Sequence, residues 1–147
     1  MLIPTCLIKF MELSLTIACL TLHHYSYDLT DLPTLMLCSG TYVGFIVVLS
    51  GEIIGETISA AADPYITSWW AAAGAMLFGA CGALTLNAWK DIPKSDRHMF
   101  AQILAVCSLA AAAVFAIDSL ISICNGRKYS DDSVKPEPCG GGARVYQ

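Results

Sequence analysis

Long apolar runs separated by short polar connections dominate this chain. Each run is near the roughly 20 residues that an α-helix needs to span the hydrocarbon core of a bilayer. The connections contain helix breakers, such as Asp63-Pro64 and Pro93. We therefore predict an all-α membrane protein in which four transmembrane helices form an antiparallel bundle with short loops. The predicted helices extend over about 2–22, 32–58, 66–89 and 99–124.

Beyond the fourth apolar run the chain becomes polar. Residues 125–147 contain Lys135-Pro136-Glu137-Pro138 and a run of three glycines, which is typical of a flexible tail. We predict a disordered cytosolic tail over 125–147. An even number of spans places both termini on one side of the membrane, and basic residues slightly favour the cytosol for that side. The basic residues on that side are Arg127, Lys128, Lys135 and Arg144, against Lys90, Lys94 and Arg97 opposite.

Composition supports the membrane assignment and excludes several classes of protein. The 147 residues are 56% hydrophobic and 14% charged, and the net charge is −4. Mean hydropathy is +0.60, which exceeds what a soluble domain of this size could bury. A nucleic-acid binder is disfavoured because no basic stripe is present. Since no catalytic motif is found either, we expect no enzymatic activity, no cofactor and no metal, and the lipid bilayer and membrane proteins as partners.

The first apolar run has two interpretations, a signal peptide or an uncleaved helix. Lys9 and Glu12 lie within the segment that a signal peptide would need to be apolar, so we favour the uncleaved helix. The seven cysteines include no C-x-x-C pair and predict no loop disulfide framework. Cys124 lies beside Arg127-Lys128 at the predicted membrane edge, a setting that permits S-acylation.

Tryptophans mark both ends of the third span. Trp69 and Trp70 open it and Trp89 closes it. The residues between Trp70 and Trp89 give a helix of about 28 Å at ~1.5 Å per residue, which is close to the hydrocarbon thickness. We predict that the three rings anchor the helix at the two membrane interfaces.

Small residues recur at four-residue spacing on the second and third spans. Such residues let helices approach closely in a bilayer. The simpler interpretation is packing within the bundle. The alternative is that one stripe serves lateral association with another molecule. The stripes comprise Gly40 and Gly44, Gly51 and Gly55, and Ala71, Ala75, Gly79 and Ala83, with Gly74 and Gly82 beside the last of them.

Five ionisable residues lie inside the predicted spans: Lys9, Glu12, Glu52, Glu56 and Asp118. Alternating helices would place all five in the same leaflet. Lys9 is the one cation among them for four carboxylates. We therefore expect at least one carboxylate to be protonated or in contact with water. In one interpretation, Lys9 pairs with a carboxylate such as Asp118 to fix the bundle, and Glu56 reaches interfacial water. In the other, Glu52 and Glu56 line a polar cavity for protons or cations.

Several short motifs, taken in order, carry a family resemblance. The chain resembles the snakeskin family, small four-span membrane proteins of arthropod smooth septate junctions, and more loosely the MARVEL-type four-helix membrane proteins. The motifs are Ile8-Lys9 with Leu13, Ser39-Gly40 with Val43-Gly44-Phe45, Ala73-Gly74 with Gly79 and Gly82, Trp89-Lys90, and Ile117-Asp118-Ser119.

The resemblance implies a non-enzymatic protein of the plasma membrane at cell junctions. Such a protein would assemble laterally, or with other membrane proteins, into an occluding contact. Glu52 and Glu56 are not part of the family pattern, and they support the alternative function. That alternative is a small ion or proton channel, a transporter, or an auxiliary subunit of a larger membrane complex that uses Glu52, Glu56 and Asp118.

Overall fold

The structure, a computed structural model, describes residues 2–26, 31–58, 63–91, 93 and 95–133. Within these ranges the backbone is almost entirely α-helical, without a strand. The helices are α1 (Leu2–Ser26), α2 (Leu32–Thr57), α3 (Pro64–Ala88) and α4 (Asp96–Ser133). Each of the four is long and apolar enough to span a membrane, which confirms the predicted all-α fold with four apolar helices.

Aspartate and proline together determine where the two central helices begin. Asp63 precedes α3, and its side chain accepts a hydrogen bond from the backbone N–H of Tyr65 at 2.9 Å. Pro64 fits the first turn because its missing N–H would have no helical partner there. At the start of α2, Pro33 likewise lies in the first turn, two residues after Asp31, which makes no side-chain cap. Both central helices therefore have a proline in the first turn, where it favours the beginning of a helix.

The fourth helix is longer than the sequence predicts. It begins at Asp96 and continues through Ser133, so the expectation of a disordered tail from residue 125 is wrong for 125–133. The physical reason is packing at Gly126, which is buried against the beginning of α3. A Cβ at Gly126 would lie 3.4 Å from Cζ of Tyr65 and 3.6 Å from Cγ of Pro64. The rest of the predicted tail, 134–147, lies outside the described residues.

The four helices contact one another in the ring order α1, α2, α3, α4 and back to α1. The α3–α4 contact is the most extensive and the α2–α3 contact is the smallest of these. The start of α1 meets the end of α2, where Lys9 contacts Glu52. The end of α1 meets the start of α2, where His23 contacts Ser39.

Aromatic rings fill the centre of the bundle. Tyr42 and Phe45 from α2 pack on Phe78 from α3, with ring centroids 5.4 Å and 5.6 Å apart. Phe115 from α4 packs on both phenylalanines, at 5.4 Å from Phe45 and 5.2 Å from Phe78. All four side chains are buried. Such ring pairs add to the stabilisation that comes from burial alone.

Two glycines allow α3 to pack closely, Gly74 against the aromatic rings and Gly82 against α4. A Cβ at Gly74 would lie 2.9 Å from Cε1 of Phe45, and one at Gly82 would lie 3.0 Å from Cγ of Leu109. The closest approaches of α3 to its neighbours are therefore at Gly74 and Gly82 rather than at Ala75, Gly79 and Ala83 of the predicted stripe. Ala83 is exposed, Ala75 and Gly79 are half-buried, and a Cβ at Gly79 would meet only Ala112 Cβ, at 3.9 Å.

Candidate functional site

A cluster of ionisable side chains lies between three helices. We call it the Lys9 cluster: Lys9 and Glu12 from α1, Glu52 from α2, and Asp118 from α4. The Lys9 Nζ atom lies 2.8 Å from Oδ2 of Asp118, 2.9 Å from Oε2 of Glu52 and 3.4 Å from Oε2 of Glu12. One ammonium group therefore contacts three carboxylates.

The Lys9 cluster is removed from the surface of the bundle. Lys9 and Asp118 are each 1% exposed and Glu12 is 0% exposed, whereas the Glu52 side chain is 15% exposed. The spacing of three residues between Lys9 and Glu12 places both on one face of α1, towards α4. Breaking a buried ion pair of this kind strongly destabilises a protein, because the remaining charge has lost its compensation.

The contacts within the Lys9 cluster are unequal. Lys9 donates a hydrogen bond to Asp118. Glu12 is close enough to Lys9 for an ion pair, but neither of its carboxylate oxygens has a hydrogen-bond partner among the described residues. Glu56, one turn beyond Glu52 on α2, is half-buried, and its Oε2 atom likewise has no partner there. The structure therefore brings together four of the five ionisable residues named from the sequence, with Glu56 beside them on α2.

A second set of buried polar contacts was not predicted from the sequence. The hydroxyl groups of Tyr42 and Ser108 lie 2.7 Å apart, and the Ser108 hydroxyl is 3.7 Å from Sγ of Cys19. Hydroxyl side chains are frequent in membrane helices, so their presence in the sequence does not predict which of them form buried hydrogen bonds. The spacing of small polar residues along α4 could have indicated a polar face. The other contacts are Ser68 with Ser119 at 3.1 Å and His23 with Ser39 at 3.0 Å.

The glycines of α2 differ sharply from those of α3. Gly40, Gly44 and Gly51 are exposed, and a Cβ added at any of them would have nothing within 4 Å. Gly40 and Gly44 also line a groove of about 380 Å³ between α2 and α3, which Trp70 borders. Gly55, the remaining glycine of the predicted stripes, is half-buried. Among the described residues, none lies within 4 Å of a Cβ on this α2 glycine face, which is formed by Gly40, Gly44 and Gly51.

The three tryptophans of α3 fall into two groups. Trp69 and Trp70 are 67% and 43% exposed, in positions where their rings can meet an interface. Trp89 is only 2% exposed, and its ring meets the His98 ring edge-on at 5.9 Å. Trp89 is therefore not available as the interface anchor predicted from the sequence, because His98 in the first turn of α4 lies against its ring. Cys124 is exposed on α4.

Comparison with known proteins identifies no relative. No family model matches the chain, and searches of curated proteins and of solved structures find no match.

Proposed function

We propose that this chain is an integral membrane protein with a structural role, which organises its membrane by associating laterally with a second copy of itself. Its four helices would form an antiparallel bundle. The contacts of Lys9 with Glu52 and of His23 with Ser39 support that arrangement, because each joins one end of α1 to the opposite end of α2. The observation that carries the proposal is the α2 glycine face.

An exposed glycine face has a particular meaning in a bilayer. Lipid tails are as apolar as leucine, so helices gain little from hiding apolar surface from lipid. They associate where small residues let two backbones approach, which permits dispersion contacts and weak hydrogen bonds. On α3, Gly74 and Gly82 serve this purpose inside the bundle. On α2, Gly40 and Gly44 lie one turn apart, and a Cβ added at either would meet no described atom within 4 Å.

The cellular setting rests on the family resemblance. We propose that the protein resides in the plasma membrane at cell junctions, with cytosolic termini, and acts without enzymatic activity. A junctional contact needs many copies of a small membrane protein held side by side, and the α2 glycine face suits such an assembly. Other integral membrane proteins could bind the same face, and co-purification distinguishes such a partner from a second copy of this chain.

The alternative function is a small channel, transporter or auxiliary subunit that uses Glu52, Glu56 and Asp118. Its support is the polar character of α2 near Glu52, which is the most exposed member of the Lys9 cluster. The Lys9 ammonium contacts both Glu52 and Asp118, and so occupies the position that a transported cation would need. This geometry favours the structural role over conduction of metal cations.

Lateral association can be tested by energy transfer between two fluorescently labelled populations of the purified chain, mixed in lipid vesicles. We expect Gly40→Leu and Gly44→Leu to abolish the transfer, because leucine holds the two backbones apart. Ala110→Leu is the matched control, since Ala110 is an exposed small residue on α4 and the change adds the same side chain. Equal transfer in all four proteins would contradict the proposal.

Two further outcomes are informative. If the wild-type chain shows no transfer in vesicles but co-purifies in mild detergent with one other membrane protein, and Gly44→Leu abolishes that co-purification, the α2 glycine face binds a hetero-partner instead. Proton or cation flux through reconstituted wild-type protein that disappears in Glu52→Gln would support the channel alternative.

A further inference from the structure

We propose that the Lys9 cluster is a proton-binding site and that the carboxyl group of Glu12 holds the proton. This assignment goes beyond the structural role and does not depend on lateral association, because the cluster lies within a single bundle. It follows from the balance of charges in a buried space and from the unpartnered oxygens of Glu12.

The first step concerns the number of charges. With all members ionised, one ammonium group would share a buried site with three carboxylates. Lys9 is the only cation in ion-pair contact with these carboxylates among the described side chains. Uncompensated charge at membrane depth is costly, so the site needs additional positive charge. The titratable groups that face it are Lys9 and Glu12 of α1, Glu52 and Glu56 of α2, and Asp118 of α4. From α3, the uncharged Ser68 contacts Ser119, the residue after Asp118.

The second step identifies the carboxylate that takes the proton. Asp118 accepts a hydrogen bond from Lys9, and Glu52 has an oxygen 2.9 Å from the same ammonium while remaining partly exposed. The ammonium of Lys9 therefore lies directly against these two carboxyl groups. Glu12 is fully buried, lies farther from Lys9 and has no hydrogen bond to either oxygen among the described residues. It is the member that gains most from being neutral.

The third step distinguishes a proton from a metal ion. The Lys9 ammonium already lies at the point where the three carboxylates converge, so a metal cation there would be repelled by it. No group of three His, Cys, Asp or Glu side chains in the described ranges is placed to hold a metal ion. A proton needs no shell of ligands, because it is bound covalently to one carboxyl oxygen.

The surroundings also provide a connection to the exterior. Glu52 is 15% exposed, and Glu56 lies one turn nearer to the end of α2, where Thr57 and Ile58 are exposed. These two carboxylates lie between the buried part of the cluster and that end of the helix. Through them Glu12 could exchange its proton with water at the membrane surface.

Infrared spectroscopy of the purified chain in lipid vesicles at neutral pH tests the proposal directly. A protonated carboxyl group has a C=O stretch that is separate from the bands of carboxylates, and it moves when H₂O is replaced by D₂O. We expect one such band per chain in a Glu137→Gln background, which leaves Glu12, Glu52 and Glu56 as the glutamates. Labelling of glutamate carboxyl carbons with ¹³C should shift this band, since it arises from a glutamate rather than from Asp118.

Variants then assign the band to one residue. Glu12→Gln should remove it completely, whereas Glu52→Gln and Glu56→Gln should retain it. Should Glu12→Gln fail to fold, retention of the ¹³C-shifted band in the other two variants still identifies Glu12 by elimination. The proposal is overturned by absence of the band from the wild-type chain, by a band that does not shift with labelled glutamate, or by its loss in Glu52→Gln or Glu56→Gln alone.

Discussion

The hydroxyl group of Tyr42 lies 2.7 Å from that of Ser108, and this hydrogen bond joins α2 to α4, the two helices that face each other across the ring. Tyr42 is fully buried, and its ring also packs on Phe78. A single side chain therefore contributes both to the aromatic centre and to a polar contact between opposite helices. Because a buried hydroxyl without a partner is costly, this contact favours one arrangement of α2 relative to α4.

Removal of the Tyr42 hydroxyl isolates this polar contribution. Tyr42→Phe retains the ring but leaves the Ser108 hydroxyl with one partner fewer, so we expect the free energy of unfolding to fall by about 1 kcal/mol. Unfolding of the purified chain in mixed micelles with increasing sodium dodecyl sulfate would measure it. Tyr25→Phe is the control, because Tyr25 is exposed and should be insensitive to the change. Equal effects in the two variants would argue against a role for the Tyr42–Ser108 contact.

The Lys9 cluster predicts a larger effect when its cation is removed. Lys9→Leu would leave Glu52 and Asp118 without their ammonium partner, so we expect a loss of about 3–5 kcal/mol of stability and poor delivery to the cell surface. Quantitative surface labelling in cells and the same unfolding assay would measure both effects. Lys128→Leu removes an exposed cation from α4 and should leave both quantities unchanged. Normal surface level and normal stability of Lys9→Leu would contradict the importance of these ion pairs.

Glycine packing predicts opposite responses on α2 and α3. Gly74→Ala introduces a Cβ 2.9 Å from Phe45 and 3.0 Å from Phe115, so the rings must shift at a cost of about 1–3 kcal/mol. Gly51→Ala places the same methyl group in open space and should stabilise the isolated bundle slightly, by up to about 1 kcal/mol, because alanine favours the helix. Unfolding of both variants under identical conditions would show the contrast. A stable Gly74→Ala protein would show that the rings adapt without cost.

The exposed Cys124 thiol gives a measure of orientation. With Cys139→Ser as background, a membrane-impermeant maleimide should label Cys124 only after the cells are permeabilised, as expected for cytosolic termini. Cys19, Cys38 and Cys81 are buried and should remain unreactive in both conditions. Cys124→Ser is the control that should remove the labelling. Labelling of intact cells that depends on Cys124 would place this end of α4 outside the cell.

Hydropathy predicted the four helices well because span length is determined by bilayer thickness, and the chain satisfies that requirement in four separate segments. The same approach failed at the end of α4. Polar residues after Cys124 indicated a tail, but Gly126 packs on Tyr65 and Pro64 and extends the helix. That contact joins residues far apart in the sequence, and local composition contains no information about it.

The site was predicted only in part, for a related reason. Depth along each helix indicated that Lys9 and Asp118 would lie near one another, because alternating helices bring those positions to one leaflet. The depth of a residue along its helix does not predict how the helix is rotated about its own axis, and therefore does not predict which residues face the neighbouring helices. The closest contacts of the third helix therefore fall at Gly74 and Gly82, beside the predicted stripe, and the burial of Trp89 against α4 was not predicted. Rotation depends on how whole surfaces interlock.

The distance in sequence between Lys9 and Asp118, 109 positions, also has a consequence for biosynthesis. Ribosomes make a chain from its N-terminus, so α1 is synthesised before the helix that supplies its closest carboxylate. Until α4 is made, Lys9 has no contact with Asp118. The ionisable side chains of Lys9 and Glu12 then make it unfavourable for α1 to lie in the bilayer. Of the four described helices, α1 is thus made before the others but obtains its ion pair with Asp118 only after α4 is made. Chains that end before α4 should therefore be retained and degraded rather than delivered.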